Sequence, residues 1–171
     1  MKILRIRPSG VLWKLTRPIH PGLWLINIFF QRILGINSEY KWMINFTSRA
    51  VGNIVIGENV WISFAASGGC YFQGNNEIFI GDNTIFAPNV CIVSADHDPE
   101  DFNKWLPAPP IRIGKSCWIG AGARILPGVT LGDHVIVGAG AVVTESFPNN
   151  VVVAGVPAKI VRKTDSVRSC D

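Results

Sequence analysis

Aliphatic residues recur every six positions along the second half of this chain. Ile113, Ile119, Ile125, Leu131, Val137 and Val143 stand six apart without a slip, and Gly114, Gly120, Gly132 and Gly138 directly follow four of them. Four residues after each of the first five comes a small or branched residue: Cys117, Ala123, Val129, Val135 and Ala141. A helix repeats at 3.6 residues and a strand at 2, so neither alone yields this pattern. A fixed six-residue period predicts a parallel β-helix, in which short strands stack into a three-sided prism of about 18 residues per coil. Each aliphatic residue then faces inward onto its equivalent one coil on. The glycine after it is expected at a corner, in backbone angles that cost other residues more.

The period extends upstream through Ile56, Ile62, Gly68, Gly74, Ile80, Phe86 and Ile92, with Val60, Ala66, Phe72, Thr84 and Val90 at the second inward position. From Ile92 to Ile113 the step is 21, which six does not divide, so the chain is expected to leave the prism and re-enter it. The expelled stretch, residues 95–110, reads ADHDPEDFNKWLPAPP, with four prolines, five charged residues and one histidine. A long polar loop leaving a rigid scaffold is a usual seat of chemistry.

Residues 1–50 form an extension, residues 51–163 the β-helix domain, and residues 164–171 a frayed end. The extension holds the apolar segment GLWLINIFFQRILG, Gly22 to Gly35, shorter than the roughly 20 residues a membrane-spanning helix needs. It predicts a helix that caps the prism through its Trp24, Ile28 and Phe29 face, or that lies on a membrane surface. Hydrophobic residues make up 48% of the chain and charged residues 16%, which suits flat outer faces buried in an oligomer. Basic residues crowd the start (Lys2, Arg5, Arg7, Lys14, Arg17 and Arg32), as for phosphates, an anionic membrane surface, or simply a solvated end.

Four cysteines, Cys70, Cys91, Cys117 and Cys170, show neither a CxxC pair nor metal-ligand spacing, so a reducing, cytoplasmic setting without a metal is expected. The start has no small-residue cleavage site after its apolar stretches, unlike a secretory signal. A prism-borne zinc site of three histidines is disfavoured, because His20, His97 and His134 fall on the extension, the loop and a corner.

These residues resemble a known family. W-I-G at Trp118 to Gly120, L-P-G-V at Leu126 to Val129, G-A-G-A-V-V at Gly138 to Val143, A-G-V-P-A at Ala154 to Ala158, and the run from Ile80 to Asp98 are similar to the hexapeptide-repeat acyltransferases. The likeness is to their sugar O-acetyltransferase branch, which acts on galactosides, maltose, nodulation factors and capsule. It implies a left-handed parallel β-helix, a homotrimer, and acetyl transfer from acetyl-CoA to a sugar hydroxyl at clefts between subunits.

By that resemblance His97 is the catalytic general base. The hydroxyl must lose a proton as it attacks the thioester, a task suited to imidazole. No serine or cysteine is evidently paired with it, so direct attack is expected. Asp96 and Asp98 each read as turn residues on their own, with the alternative that one orients the ring or favours the imidazolium, as the third group of a triad does, and Asp96 is also a candidate on the acceptor side. The family's coenzyme groove falls on Trp118, Ala121, Ala139 and Thr144, and Lys159 and Arg162 match the basic tail positions near coenzyme phosphates. Glu145 departs from the pattern, since many relatives carry lysine there, and this puts phosphate contact in doubt. On the acceptor side, Asn75 and Ser67 fall where galactoside acetyltransferases use an aspartate and an asparagine. Neither matches in type, so the acceptor is expected to differ from a simple galactoside; the first 50 residues resemble the leading segment of polysaccharide-modifying members, which implies a surface polysaccharide or its precursor. Trp105 is a candidate to stack on a sugar ring or to pack within the loop. The competing readings are N-acetylation of an amino sugar or xenobiotic, and a non-catalytic β-helix scaffold.

Overall fold

A computed structural model describes residues 19–164; residues 1–18, with Lys2, Arg5, Arg7, Lys14 and Arg17, and residues 165–171 of the expected frayed end lie outside the described residues. The strands are β1 (Arg49–Ile56), β2 (Tyr71–Ile80), β3 (Ile85–Phe86), β4 (Cys91–Val93), β5 (Ile111–Ile113), β6 (Trp118–Ile119), β7 (Arg124–Ile125), β8 (Thr130–Leu131), β9 (Ile136–Val137), β10 (Val142–Val143), β11 (Val151–Gly155) and β12 (Ala158–Lys163). They coil into a left-handed parallel β-helix. β1 and β2 bend around a corner, so each serves two faces.

Inward residues stack in three columns, one per face. On the first, Phe72 lies beside Ile92, then Ile125, then Val143. On the second, Ile80 meets Ile113 and Leu131, and an isolated bridge continues to Phe147. On the third, Phe86 meets Ile119, Val137 and Val153. The second inward positions Val60, Thr84, Val90, Cys117, Ala123, Val129, Val135 and Ala141 are buried as expected. Full burial of each such aliphatic side chain is worth about 1.5–3 kcal/mol, gained only when the next coil covers it.

The corner glycines work differently from the sequence expectation. Positive φ falls on Asn83, Ser116 and His134, and on Gly122 and Gly140, rather than on the glycines that follow the aliphatic position. Those glycines are needed for space: a Cβ on Gly81 would lie 2.7 Å from the carbonyl carbon of Gly114 in the next coil. At this edge Asp133 Oδ1 accepts from the Lys115 amide at 2.7 Å, and Asn149 Oδ1 accepts from the Asp133 amide at 2.9 Å, so side chains stitch successive coils.

The first coil breaks the six-residue period. Ile62, Gly68 and Gly74 were expected to continue the inward column, but a short helix, Trp61–Ala66, replaces the third-face strand. Phe64 points inward from it, 4.6 Å from Phe72 and 4.9 Å from Phe86 between ring centroids, while Ala66 is exposed. Three stacked rings need more room than a regular coil gives. Accordingly Ala50 pairs with Phe72 and Ile54 with Ile78, offsets of 22 and 24 residues in place of 18.

The apolar segment packs on the first coil with Trp24 and Ile28 half-buried on its inner side, as expected, but Phe29 faces out and the buried residues at its centre are polar. Helix α1 (Pro21–Ile28) opens with His20 Nδ1 accepting from the Gly22 amide at 3.2 Å and runs into a π-turn, Phe29–Ile33. Its buried residues are Asn27 and Gln31, whereas Phe29 is exposed and Trp24 and Ile28 are half-buried. Asn27 donates to the Ala65 carbonyl at 2.9 Å and accepts from the Phe46 amide at 3.0 Å. Gln31 donates to the Trp42 carbonyl at 2.8 Å and accepts from the Ile44 amide at 3.2 Å. The first coil has no preceding coil to pair its backbone, and side-chain amides satisfy groups that an aliphatic face would leave unpaired.

Candidate active site

The expelled loop leaves the prism between β4 and β5, at the edge joining the first and second faces, and its root is fastened by side chains of β2. Gln73, buried, donates through Nε2 to the Ala95 carbonyl at 3.2 Å and accepts through Oε1 from the Ala95 amide at 3.0 Å. Ser94, with no exposed surface, donates to the Gln73 carbonyl at 2.9 Å and accepts from the Asn76 amide at 2.9 Å. Asn76 Nδ2 reaches both ends of the loop, donating to the Ser94 carbonyl at 3.0 Å and the Leu106 carbonyl at 2.9 Å. Sequence reasoning missed all three residues. The signal was the polar run Gln73 to Asn76, with no aliphatic residue where the inward column needed one.

Within the loop, His97 and Trp105 form an isolated antiparallel bridge, and their rings stack with centroids 3.8 Å apart, tilted 34°. His97 Nδ1 lies 2.6 Å from the Phe102 carbonyl oxygen. A carbonyl oxygen only accepts, so Nδ1 carries the hydrogen and the neutral ring keeps Nε2 as a free acceptor. The alternative that Asp96 or Asp98 orients the ring is corrected on this point, since a backbone carbonyl does so. Asp98 Oδ1 accepts from the Glu100 amide at 2.8 Å in a local turn, and Asp96 contributes its carbonyl to the Leu106 amide. Trp105 sets one ring face against the imidazole and remains 45% exposed.

The acceptor candidates separate. Asn75 is exposed on β2 beside the loop root, on the same edge as His97. Ser67 is withdrawn from the acceptor side: it is buried, its hydroxyl donating to the Phe86 carbonyl at 2.8 Å, because the widened first coil turns it inward.

Most of the coenzyme candidates sit elsewhere. Trp118 projects outward from the third face, half exposed, between Ile85 and Ile136 of the adjoining coils. Ala121 and Ala139 are exposed on the edge joining the third and first faces, where the Gly140 amide donates to the Ala121 carbonyl at 2.8 Å. β12 extends the third face by pairing antiparallel with β11, bringing Lys159 and Arg162 to that face. Thr144 alone is exposed on the loop's edge, after β10, two coils above the loop root. Lys159 is engaged within the chain: its Nζ pairs with Glu145 Oε1 at 2.6 Å. Within one chain, then, His97 and most of the coenzyme candidates occupy different edges of the prism. Among the described residues no group of three metal-ligating side chains comes together.

Residues 110–145 match the bacterial transferase hexapeptide family model, described as six repeats. Over 114 residues the chain is 39% identical to a galactoside O-acetyltransferase of Escherichia coli strain K12, a match covering 65% of this chain and 54% of that protein. The fold is similar to that of a maltose O-acetyltransferase from Clostridium difficile 630, with a TM-score of 0.57 and 29% identity over 92% of this chain and 90% of that one. It is also similar to a hexapeptide-repeat acetyltransferase of Vibrio cholerae solved with acetyl coenzyme A, with a TM-score of 0.57 and 26% identity over 70% of this chain and 64% of the other. The chain spans about half the length of the curated relatives it matches. By its repeat, its prism and these likenesses, the chain carries a hexapeptide-repeat β-helix of the bacterial transferase type and is similar over that domain to sugar O-acetyltransferases.

Proposed function

We propose that this protein is an acetyl-CoA-dependent O-acetyltransferase that modifies a sugar hydroxyl, with His97 as general base. The observation that carries this reading is the posture of His97. With Nδ1–H given to the Phe102 carbonyl, Nε2 is the one ring atom able to take a proton. In the proposed reaction Nε2 removes the proton of the acceptor hydroxyl as that oxygen bonds to the thioester carbonyl carbon. The tetrahedral intermediate collapses by breaking the carbon–sulfur bond, and the imidazolium returns the proton to the departing coenzyme thiolate. Trp105, stacked on the ring, favours the transient imidazolium by cation–π attraction.

The separation of His97 from Trp118, Ala121, Ala139 and Arg162 supports a homotrimer in which one subunit's loop meets the third face of its neighbour. Exposed apolar residues on the faces, among them Val55, Ile85 and Trp118, fit such an assembly. An acetyl-CoA donor implies a cytoplasmic reaction, and a surface polysaccharide or its precursor remains the proposed acceptor class.

Incubation with acetyl-CoA and a panel of sugars, amino sugars, sugar nucleotides and oligosaccharides, read by mass spectrometry of the product, tests the reading. An O-acetylated sugar is the expected product. N-acetylation of amino sugars alone, or no product with any acceptor, would overturn it.

A further inference from the structure

Helix α1 and the π-turn after it carry apolar side chains on both sides, Trp24, Ile28 and Phe30 half-buried within and a second set facing out. A surface helix ordinarily turns apolar residues to the core and polar ones to water. Here Asn27 and Gln31 are spent on the first coil's backbone, and Leu25, Ile26, Phe29, Ile33 and Leu34 face outward, each between 43% and 69% exposed. No helix among the described residues is long and apolar enough to cross a membrane.

Charge says what kind of surface covers this face. Residues 1–41 contain seven Lys or Arg against one Glu, a net charge of +6. The remaining residues contain nine Lys or Arg against eleven Asp or Glu, a net of −2, although the whole chain is +4. An apolar helical face within a strongly cationic segment of an otherwise acidic protein complements an anionic lipid surface, which takes the apolar side chains and attracts the basic ones together. A second copy docked through the same face would instead bring two segments of +6 together, with a single glutamate on each to set against them.

We propose that the α1 face is a peripheral membrane-docking surface for anionic lipid, with Leu25, Ile26, Phe29, Ile33 and Leu34 entering the headgroup region. This reading is independent of the acetyl-transfer assignment, because partition onto vesicles needs neither donor nor acceptor.

The test is co-sedimentation of the full chain with phosphatidylcholine vesicles, with and without phosphatidylglycerol, at low and high salt. Light scattering of the free protein is recorded alongside. Binding is expected to the phosphatidylglycerol vesicles, to weaken in high salt, and to fall more than about ten-fold in the Leu25→Ser/Phe29→Ser/Ile33→Ser variant. All three side chains are exposed, so the variant should melt at the wild-type temperature. Failure to bind anionic vesicles, or equal binding by the variant, would overturn the proposal. So would a variant that drops to a smaller oligomer, since a second copy would then be the occupant.

Discussion

Gln73 holds Ala95 from both sides, its side-chain amide donating to the Ala95 carbonyl and accepting from the Ala95 amide. Ala95 stands two residues before His97, so a buried side chain of the rigid prism sets where the loop departs and hence where the imidazole stands. Gln73→Leu keeps the bulk and removes both bonds. Leaving two buried backbone groups unpaired costs about 1–3 kcal/mol each, read as a lower melting temperature. The larger expected effect is on turnover, because displacing a reacting group by about 1 Å costs on the order of 100-fold. Steady-state kinetics should show kcat falling while the dissociation constant for acetyl-CoA stays unchanged; equal loss in both would contradict the positioning role.

On the proposed reading, the Glu145–Lys159 pair withholds an ammonium from coenzyme phosphate. At this exposed site the pair itself contributes little stability, but it holds the Lys159 ammonium on a carboxylate. Glu145→Gln frees that ammonium for coenzyme phosphate and should tighten acetyl-CoA binding about two- to five-fold, with weaker salt-resistance than a bidentate arginine would give. Calorimetric titration of both proteins checks this, and Lys159→Ala added to Glu145→Gln should cancel the gain.

Much of the prism was legible because one physical constraint writes the same residue type every six positions. Ile113 to Val143 keeps that spacing because each coil must bury the same width of face against the next. The first coil was not legible: Phe64, Phe72 and Phe86 need a wider coil, and a helix supplies it, so the period carried Ile62, Gly68 and Gly74 into places they do not hold. On α1 the inner side of Trp24 and Ile28 was legible, but the polar residues at its centre were not, since unpaired backbone there needed Asn27 and Gln31, and Phe29 faces out. At the site, the loop followed from the broken spacing, and His97 was singled out on it by the family likeness. The partner of His97 did not, because a main-chain carbonyl such as that of Phe102 leaves no mark in a sequence.

Thiol chemistry follows burial. Burial pushes the thiols of Cys70 and Cys117 up from the ordinary range, so neither is a ready nucleophile at neutral pH. Alkylation of the native protein followed by peptide mapping should leave both unmodified, with the half-buried Cys91 labelling faster and denaturant exposing all three.

Acid stability depends in part on the Asp82–Lys115 pair, 3.0 Å apart across neighbouring coils. The Lys115 ammonium and the Glu58 amide hold the Asp82 carboxyl below the usual carboxylate range. A group depressed in the folded state stabilises above its unfolded pKa, and that contribution is lost as pH falls through the folded one. Melting temperature against pH should therefore decline less on the acid side for Asp82→Asn, starting from a lower plateau at neutral pH. Parallel curves for the two proteins would remove Asp82 from the account.

Replacing His97 by Ala, and measuring acetyl transfer and acetyl-CoA binding on the same preparation, tests the account most directly. Loss of a general base costs roughly 10²–10⁴-fold in turnover, and the third face, which carries most of the coenzyme candidates, is untouched by the change. The account predicts that product formation collapses while acetyl-CoA binds as in the unaltered protein. Turnover surviving at the wild-type rate would contradict it.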